Sequence, residues 1–364
     1  MYVKMLNNII IKGFVFIALV SGFTIFGCTL SKSKTPVSAW EKIKVGDDGP
    51  SERIGSVQFW DGSNLFMLWG YEVNDKIDQC KEIWRFNPSE KKWAEVIPKT
   101  DKFPYLYRPS ITWSGTRLLI FGGETKNDTK SRQMYEFLPS RKIFREVDLG
   151  KNVPSGKAGP VTIDNRFIYL ITYVTEWETN IWNYKKEALW KFNLKHDEWS
   201  GVDQKNNIPK SVRRNSPDFR FSDLLGVKGD KLYYLVSNKK LLTFDFYSRT
   251  WKQHNITGEI PEERKSITGA WTGRYFIMFG GYQGPLGGTD FWQSYYNDLW
   301  LFDTKTKKWT KIEIEGITPP PLKSEGVWTG KFFYIVYGHN LEDQSHHKSI
   351  WRIDLSNYIN SNKK

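Results

Sequence analysis

Four stretches of this chain carry a glycine followed eight residues later by another. They are Gly62 and Gly70 in "WDGSNLFMLWG", Gly115 and Gly123 in "WSGTRLLIFGG", Gly273 and Gly281 in "WTGRYFIMFGG", and Gly330 and Gly338 in "WTGKFFYIVYG". Two degenerate copies, "IDNRFIYLITY" (163–173) and "VKGDKLYYLVS" (227–237), make six. A spacing repeated six times constrains a chain more than any local motif, because each unit must bury its apolar face against the next. Pairs such as Asp61-Gly62, Ser114-Gly115 and Thr329-Gly330 suit a two-residue turn that needs positive φ. The run after each pair is apolar at nearly every position, which predicts a strand buried on both faces.

A second spacing runs through the same copies. Trp84, Tyr135, Trp190, Leu242 and Trp300 are followed nine residues later by Trp93, Phe144, Trp199, Trp251 and Trp309. Two residues after the first member stands Phe86, Phe137, Phe192, Phe244 or Phe302. Links such as "NPSEKK" and "DTKTKK" lie between, so each reads as another hairpin, closed by a large aromatic that wedges between neighbouring sheets. The 17 Trp in 364 residues suit one such wedge per unit. Four strands in about 50 residues fall in the period range of propeller repeats.

The order apolar strand, Gly-Gly, loop, aromatic, Trp resembles the kelch repeat over residues 38–356. The resemblance is strongest at Gly122-Gly123 and Gly280-Gly281, weaker at Trp69-Gly70 and Tyr337-Gly338, and weakest at Thr172-Tyr173 and Val236-Ser237. It implies an all-β, six-bladed kelch-type β-propeller with four antiparallel strands per blade. The glycine pairs then build the fold, since glycine permits a sharp turn and close backbone approach. The sixth copy lacks its outer strand, for Asn360 stands nine residues after Trp351. "PVSAWEKIKV" (36–45) supplies a matching strand with Trp40 in the wedge position. Placed on the last blade, this N-terminal strand closes the ring and leaves no open sheet edge.

Residues 1–27 differ from the rest. Lys4 and Lys12 precede the apolar run "GFVFIALVSGFTIFG", which ends before Cys28. A basic start followed by a short apolar core is the pattern of an export signal. The run is short for a bilayer span of about 20 residues. "IFGC" resembles the bacterial lipobox, which implies cleavage before Cys28, lipidation of that cysteine and residence in a bacterial cell envelope, at the outer membrane or cell surface. An uncleaved signal anchor is the other reading, because Phe26 is bulky for a lipobox. The expected organisation is a signal peptide (1–27), a polar tether (28–37), the propeller (38–356) and a short tail (357–364). With Cys28 lipidated, Cys80 is the only other cysteine and the mature chain has no internal disulfide.

The formal charge is +13, which favours anionic partners. No nucleic-acid module is present, and no cofactor, metal site or catalytic set is expected. In a propeller the hairpin turns occupy one end, and the loops after Gly-Gly occupy the other together with the approaches to the innermost strands. Function is expected at that loop end. Each innermost strand is approached past a cation: Arg53, Arg108, Lys157, Arg220, Arg264 and Lys323. As a ring at the channel mouth they would hold carboxylates, arginine in a bidentate fork; singly, each also suits a local ion pair. The long loops of blades three and five add Trp177, Trp182, Phe291, Trp292 and Tyr295, which suit either contact anchors or caps over the blades. The leading expectation is a monomeric binding module for an acidic protein segment or an anionic glycan. A sugar-acid enzyme resembling the kelch sialic acid mutarotases, with Glu176 or Glu178 beside an Arg, and a structural envelope role stay open.

Overall fold

The computed structural model describes residues 38–46, 48–73, 77–100, 103–107, 109–125, 131–154, 157–178, 181–209, 224–284 and 294–360. Six antiparallel sheets follow one another along the chain. Blade 1 comprises Val57–Trp60, Leu65–Leu68, Ile83–Asn87 and Lys92–Glu95, each strand paired with the next. Blade 2 runs Ser110–Trp113, Leu118–Phe121, Met134–Leu138 and Ile143–Val147, and blades 3 to 5 repeat the order. In blade 6, Gly326–Trp328, Phe332–Asn340 and His346–Asp354 take their fourth strand from Ser38–Ile43. The register is antiparallel, Trp40 opposite Ile353 and Ile43 opposite Ile350. The expected N-terminal closure is therefore present.

The two sequence spacings have distinct structural causes. In the inner turns the residue before glycine closes the hairpin with its side chain. Asp61 Oδ1 accepts the Asn64 amide at 2.7 Å, and the Thr272 and Thr329 hydroxyls accept the Tyr275 and Phe332 amides at 2.9 and 3.0 Å. The positive φ falls on the glycine itself, 105° at Gly62 and 91° at Gly273. In the outer hairpin the Phe seven residues before the wedge aromatic lies directly opposite it: Phe86 with Trp93, Phe137 with Phe144, Phe192 with Trp199, Phe244 with Trp251 and Phe302 with Trp309. In the four Phe–Trp pairs the ring centroids lie 5.1–5.2 Å apart. Trp40 takes the same place in blade 6 and meets Phe279 of blade 5 edge-on at 5.3 Å.

Blades 1 and 6 hold Trp69 and Tyr337 where other copies have the first glycine of the pair. Both keep the left-handed conformation, φ 56°, a strain of order 1–3 kcal/mol for a side-chain-bearing residue. Both are also fully buried, and burial of a large apolar side chain contributes about 1.5–3 kcal/mol. The two effects are of one size, which explains why glycine is dispensable there. Tyr337 adds a hydrogen bond from its hydroxyl to the Pro50 carbonyl at 3.1 Å.

Ring closure sets a measurable stability. Trp40→Ala removes a 5 % exposed wedge and is expected to lower the unfolding free energy by about 3–5 kcal/mol, as Trp309→Ala does in an interior blade. Urea titration followed by tryptophan fluorescence checks it. A loss under about 1 kcal/mol for Trp40→Ala beside a full loss for Trp309→Ala would mean that the ring holds without its closing strand.

Candidate functional site

At the loop end, blades 1, 2, 5 and 6 bridge the approach segment to the residues just after the glycine pair or its equivalent. Ile54 pairs with Tyr71, Tyr107 with Glu124, Lys265 with Tyr282 and Lys323 with His339. The second glycine of the pair lies beneath this bridge. A Cβ on Gly281 would stand 2.6 Å from the Lys265 carbonyl oxygen and 3.3 Å from Arg264 Cδ, and one on Gly70 would stand 3.1 Å from Arg53 Cδ. The glycine thus makes room for the approach strand and for the arginine beside it.

Those arginines are clamps. Arg53 is 3 % exposed. Its Nη1 donates to the Trp69 carbonyl at 3.3 Å and to Glu82 at 3.0 Å, Nε to the Ser51 carbonyl at 3.2 Å, and Nη2 to Ser51 Oγ at 2.8 Å. Arg264, also 3 % exposed, repeats the pattern in blade 5. Nη1 donates to the Gly280 carbonyl at 3.2 Å and to Asp298, Nη2 to Asp298 Oδ2 at 3.3 Å, and Nε to the Glu262 carbonyl at 3.0 Å. The Tyr296 ring lies 3.7 Å from the guanidinium carbon, and Trp300 Nε1 donates to Asp298 at 2.7 Å. Trp69 and Gly280 are equivalent positions, as are Glu82 and Asp298. Each arginine ties the approach segment, the glycine turn and the start of the third strand into one corner. At these two positions of the expected cation ring the guanidinium is buried, and four of its five N–H donors are spent within the corner.

The remaining expected residues fall into three groups. Lys323 is exposed in the segment bridged to His339. Tyr295 is half-buried and its ring lies 6.3 Å from that of Tyr282. Lys157, Trp177 and Trp182 lie in strands whose side chains there are outside the described residues; by backbone register Lys157 is opposite Tyr173 and Trp177 opposite Trp182. Cys28, Arg108, Arg220, Phe291 and Trp292 lie outside the described residues.

The most irregular feature of this end is in blade 3. Its second and third strands, Phe167–Glu178 and Ile181–Asn193, have 12 and 13 residues, against 4 and 5 in blade 1. They pair continuously from Phe167–Asn193 out to Glu178–Ile181, with a register shift between Val174 and Thr175. The expected loop at 174–188 is thus a two-stranded arm that continues the blade beyond its loop end.

Two further clusters lie at this end, of which the aromatic one escaped the sequence reading. Tyr71 meets Tyr105 and Tyr107 edge-on at 5.3 and 5.2 Å, while Phe103 stacks on Trp69 at 5.7 Å. Burial, with the neighbouring Tyr71 and Tyr107, pushes the Tyr105 hydroxyl far above its ordinary pKa. Alternation of aromatics at 103, 105 and 107 was the available signal. The second cluster joins His339 and His346 across the blade 6 hairpin. His339 Nε2–H donates to Gln344 Oε1 at 2.9 Å, which leaves Nδ1 to accept from His346 Nε2 at 3.2 Å. No group of three or more His, Cys, Asp or Glu able to hold a metal occurs among the described residues.

A closed ring of six four-stranded blades with these turns defines a kelch-type propeller. The KLHDC2/KLHL20/DRC7 Kelch-repeats domain matches residues 28–219 and 228–361, and the chain belongs to this kelch-repeat family. It is 22% identical over 340 residues to Kelch domain-containing protein 10 of Xenopus laevis, covering 86% of this chain and 78% of that one. It is 20% identical over 307 residues to human Kelch domain-containing protein 3, covering 76% and 75%. Human Kelch domain-containing protein 1 is 26% identical over 119 residues, 31% of this chain and 27% of that one. The fold is that of a protein-interaction module.

Two outcomes follow. Arg264→Ala strands the Asp298 carboxylate and the Gly280 carbonyl, so it is expected to cost about 3–5 kcal/mol of stability, measured by chemical denaturation. A fully stable Arg264→Ala protein would mean that the corner does not depend on this arginine and would favour its role as a ligand contact. The second outcome concerns His339. Burial foremost, then His346 and Lys323, hold its pKa below the ordinary value, against the hydrogen bond with Gln344. The folded hairpin therefore favours neutral His339. Its contribution is complete above the unfolded value of about 6.5 and is lost as pH falls below it. Hydrogen exchange at 339–346, corrected for intrinsic rates, is expected to quicken between about pH 7 and pH 5.5, and to lose that dependence in His339→Asn.

Proposed function

We propose that this chain is an exported, lipid-anchored kelch-repeat module of the bacterial cell envelope that binds an acidic protein segment at its loop end. The blade 3 arm carries the reading. A blade needs strands of about five residues, so the extra length of Phe167–Glu178 and Ile181–Asn193 adds nothing to the blade core. It sets Trp177 opposite Trp182 in register, and paired aromatics are favoured contact residues at protein interfaces. The link from blade 3 to blade 4 follows with Lys210, Arg213, Arg214 and Arg220 in sequence, a charge pattern suited to carboxylates. The basic, apolar residues 1–27 and Cys28 support export and lipidation.

The test is an array of acidic and neutral peptides and anionic glycans probed with the detergent-solubilised full chain. Retention of Asp/Glu-rich peptides is expected. It should weaken with added salt and fall at least about tenfold in the Trp177→Ala/Trp182→Ala double variant. Retention of glycans alone would replace the proposed partner. Incorporation of a clickable fatty acid in growing cells, abolished by Cys28→Ser, checks the anchor separately.

A further inference from the structure

The antiparallel order brings all inner and outer hairpin turns to the end opposite the loops. Five outer turns hold a left-handed residue just before the fourth strand. It is Lys91, Lys142, Arg249 and Lys307 in four of them, φ 54–58°, and Asp197 in the fifth. Glycine would adopt this conformation without strain, so a long cation is kept there against the backbone preference. Arg141, Lys305 and Lys308 stand beside them, exposed like Lys142.

Several carboxylates of the same end are engaged within the turns, while Glu90, Glu198 and Asp230 stay exposed. Asp61 and Asp164 accept backbone amides of their own turns, Asp303 pairs with Arg274 at 2.7 Å, and Asp197 pairs with Arg117 at 2.6 Å. Among the described residues, no carboxylate lies within ion-pair distance of Arg141, Lys142, Lys305, Lys307 or Lys308. These five cations, exposed or partly so, outnumber the exposed Glu90, Glu198 and Asp230, so positive charge prevails at this end.

The chain also arrives at this end. Ser38 Oγ donates to the Asp354 carbonyl at 3.3 Å, where the third strand of blade 6 finishes. Ser38 is parallel-paired with Ile314, as Ile143 of blade 2 is with Lys99. Ser38 therefore stands where the other blades begin their fourth strands, at the hairpin-turn end. Nine residues lie between Cys28 and Ser38, a contour of at most about 35 Å.

From the cationic turns and the point of arrival we infer that the hairpin-turn end docks on an anionic phospholipid surface, Lys142, Lys307, Lys308 and their neighbours meeting headgroup phosphates. The inference rests on the anchored reading above and adds an orientation to it. The loop end and its blade 3 arm then point away from the bilayer. Attraction of this kind acts within a Debye length, about 8 Å at physiological salt, and the contour of the connector permits an approach that close.

The full chain, reconstituted with phosphatidylcholine vesicles with or without phosphatidylglycerol, is labelled with an amine acetylating reagent and read by mass spectrometry. Lys142, Lys307 and Lys308 are expected to be protected several-fold on the anionic vesicles, with the protection removed by high salt. Lys81 and Lys323 at the loop end should label equally on both. Protein that floats with both vesicles while all five lysines label alike overturns the docking and leaves the anchor standing. Protein that floats with neither overturns both. Equal protection on neutral vesicles would overturn the role of charge. A Lys142→Glu/Lys307→Glu/Lys308→Glu variant, altered only at exposed or partly exposed turn positions, should float as before and lose the selective protection at Arg141 and Lys305, read by arginine- and lysine-directed labelling.

Discussion

The ring depends on four backbone pairs between Ser38–Ile43 and His346–Asp354. Every other blade is a local meander, four strands in sequence with contacts to its neighbours. Blade 6 alone joins residues more than 300 positions apart. Without it, His346–Asp354 would expose an unpaired edge, and the Phe279 and Phe333 rings would lose Trp40 from between blades 5 and 6. Loop-closure entropy grows only slowly with length. The cost of this long closure is therefore modest beside the burial of one tryptophan and the satisfaction of a sheet edge.

The rest of the ring is built from one device used repeatedly. A Phe on the third strand faces a Trp or Phe on the fourth, and the fourth-strand ring is pushed between blades. This requires the register to hold across the outer turn, and the left-handed residue at its end fixes that register in five blades. Blade 6 has no outer turn, so its register comes from Ser38 instead, held by Glu313 and Asp354. The same geometry that closes the ring therefore also decides at which end the N-terminal segment must emerge.

The fold was legible because its determinants are periodic. A glycine eight residues after a turn and an aromatic nine residues after another are visible without knowing any contact, and even the missing outer strand of blade 6 could be located by its Trp40. The site was less legible because its partners stand at no fixed separation from one another. Arg53 and Arg264 read as cations at a channel mouth, yet their meaning depends on Glu82 and Asp298, 29 and 34 residues away in a loop of variable length. No spacing rule reaches across that loop. The blade 3 insertion was visible as extra length at 174–188, but only the register shows that it is a paired arm with Trp177 opposite Trp182. The tyrosines around Tyr105 were legible in principle from their alternation, but they converge with Tyr71 across 34 residues and a blade boundary.

Charge therefore has to be read by end and by availability. A formal +13 suggests one basic site, and the arginines at the loop end are the natural place to look for it. The structure divides the cations differently. Arg53, Arg264, Arg117 and Arg274 are consumed in corners and turns by Glu82, Asp298, Asp197 and Asp303. Lysines of the outer turns keep their charge in water, on strained backbone, at the end where the chain arrives. Arginine suits the first task because its planar fork satisfies a carbonyl and a carboxylate together, whereas lysine is a compact hydrated charge suited to a diffuse anionic surface. A propeller that spends its buried arginines on architecture and keeps a group of exposed cations on its turns has two unlike ends, one of regular charged turns and the other of loops that differ from blade to blade.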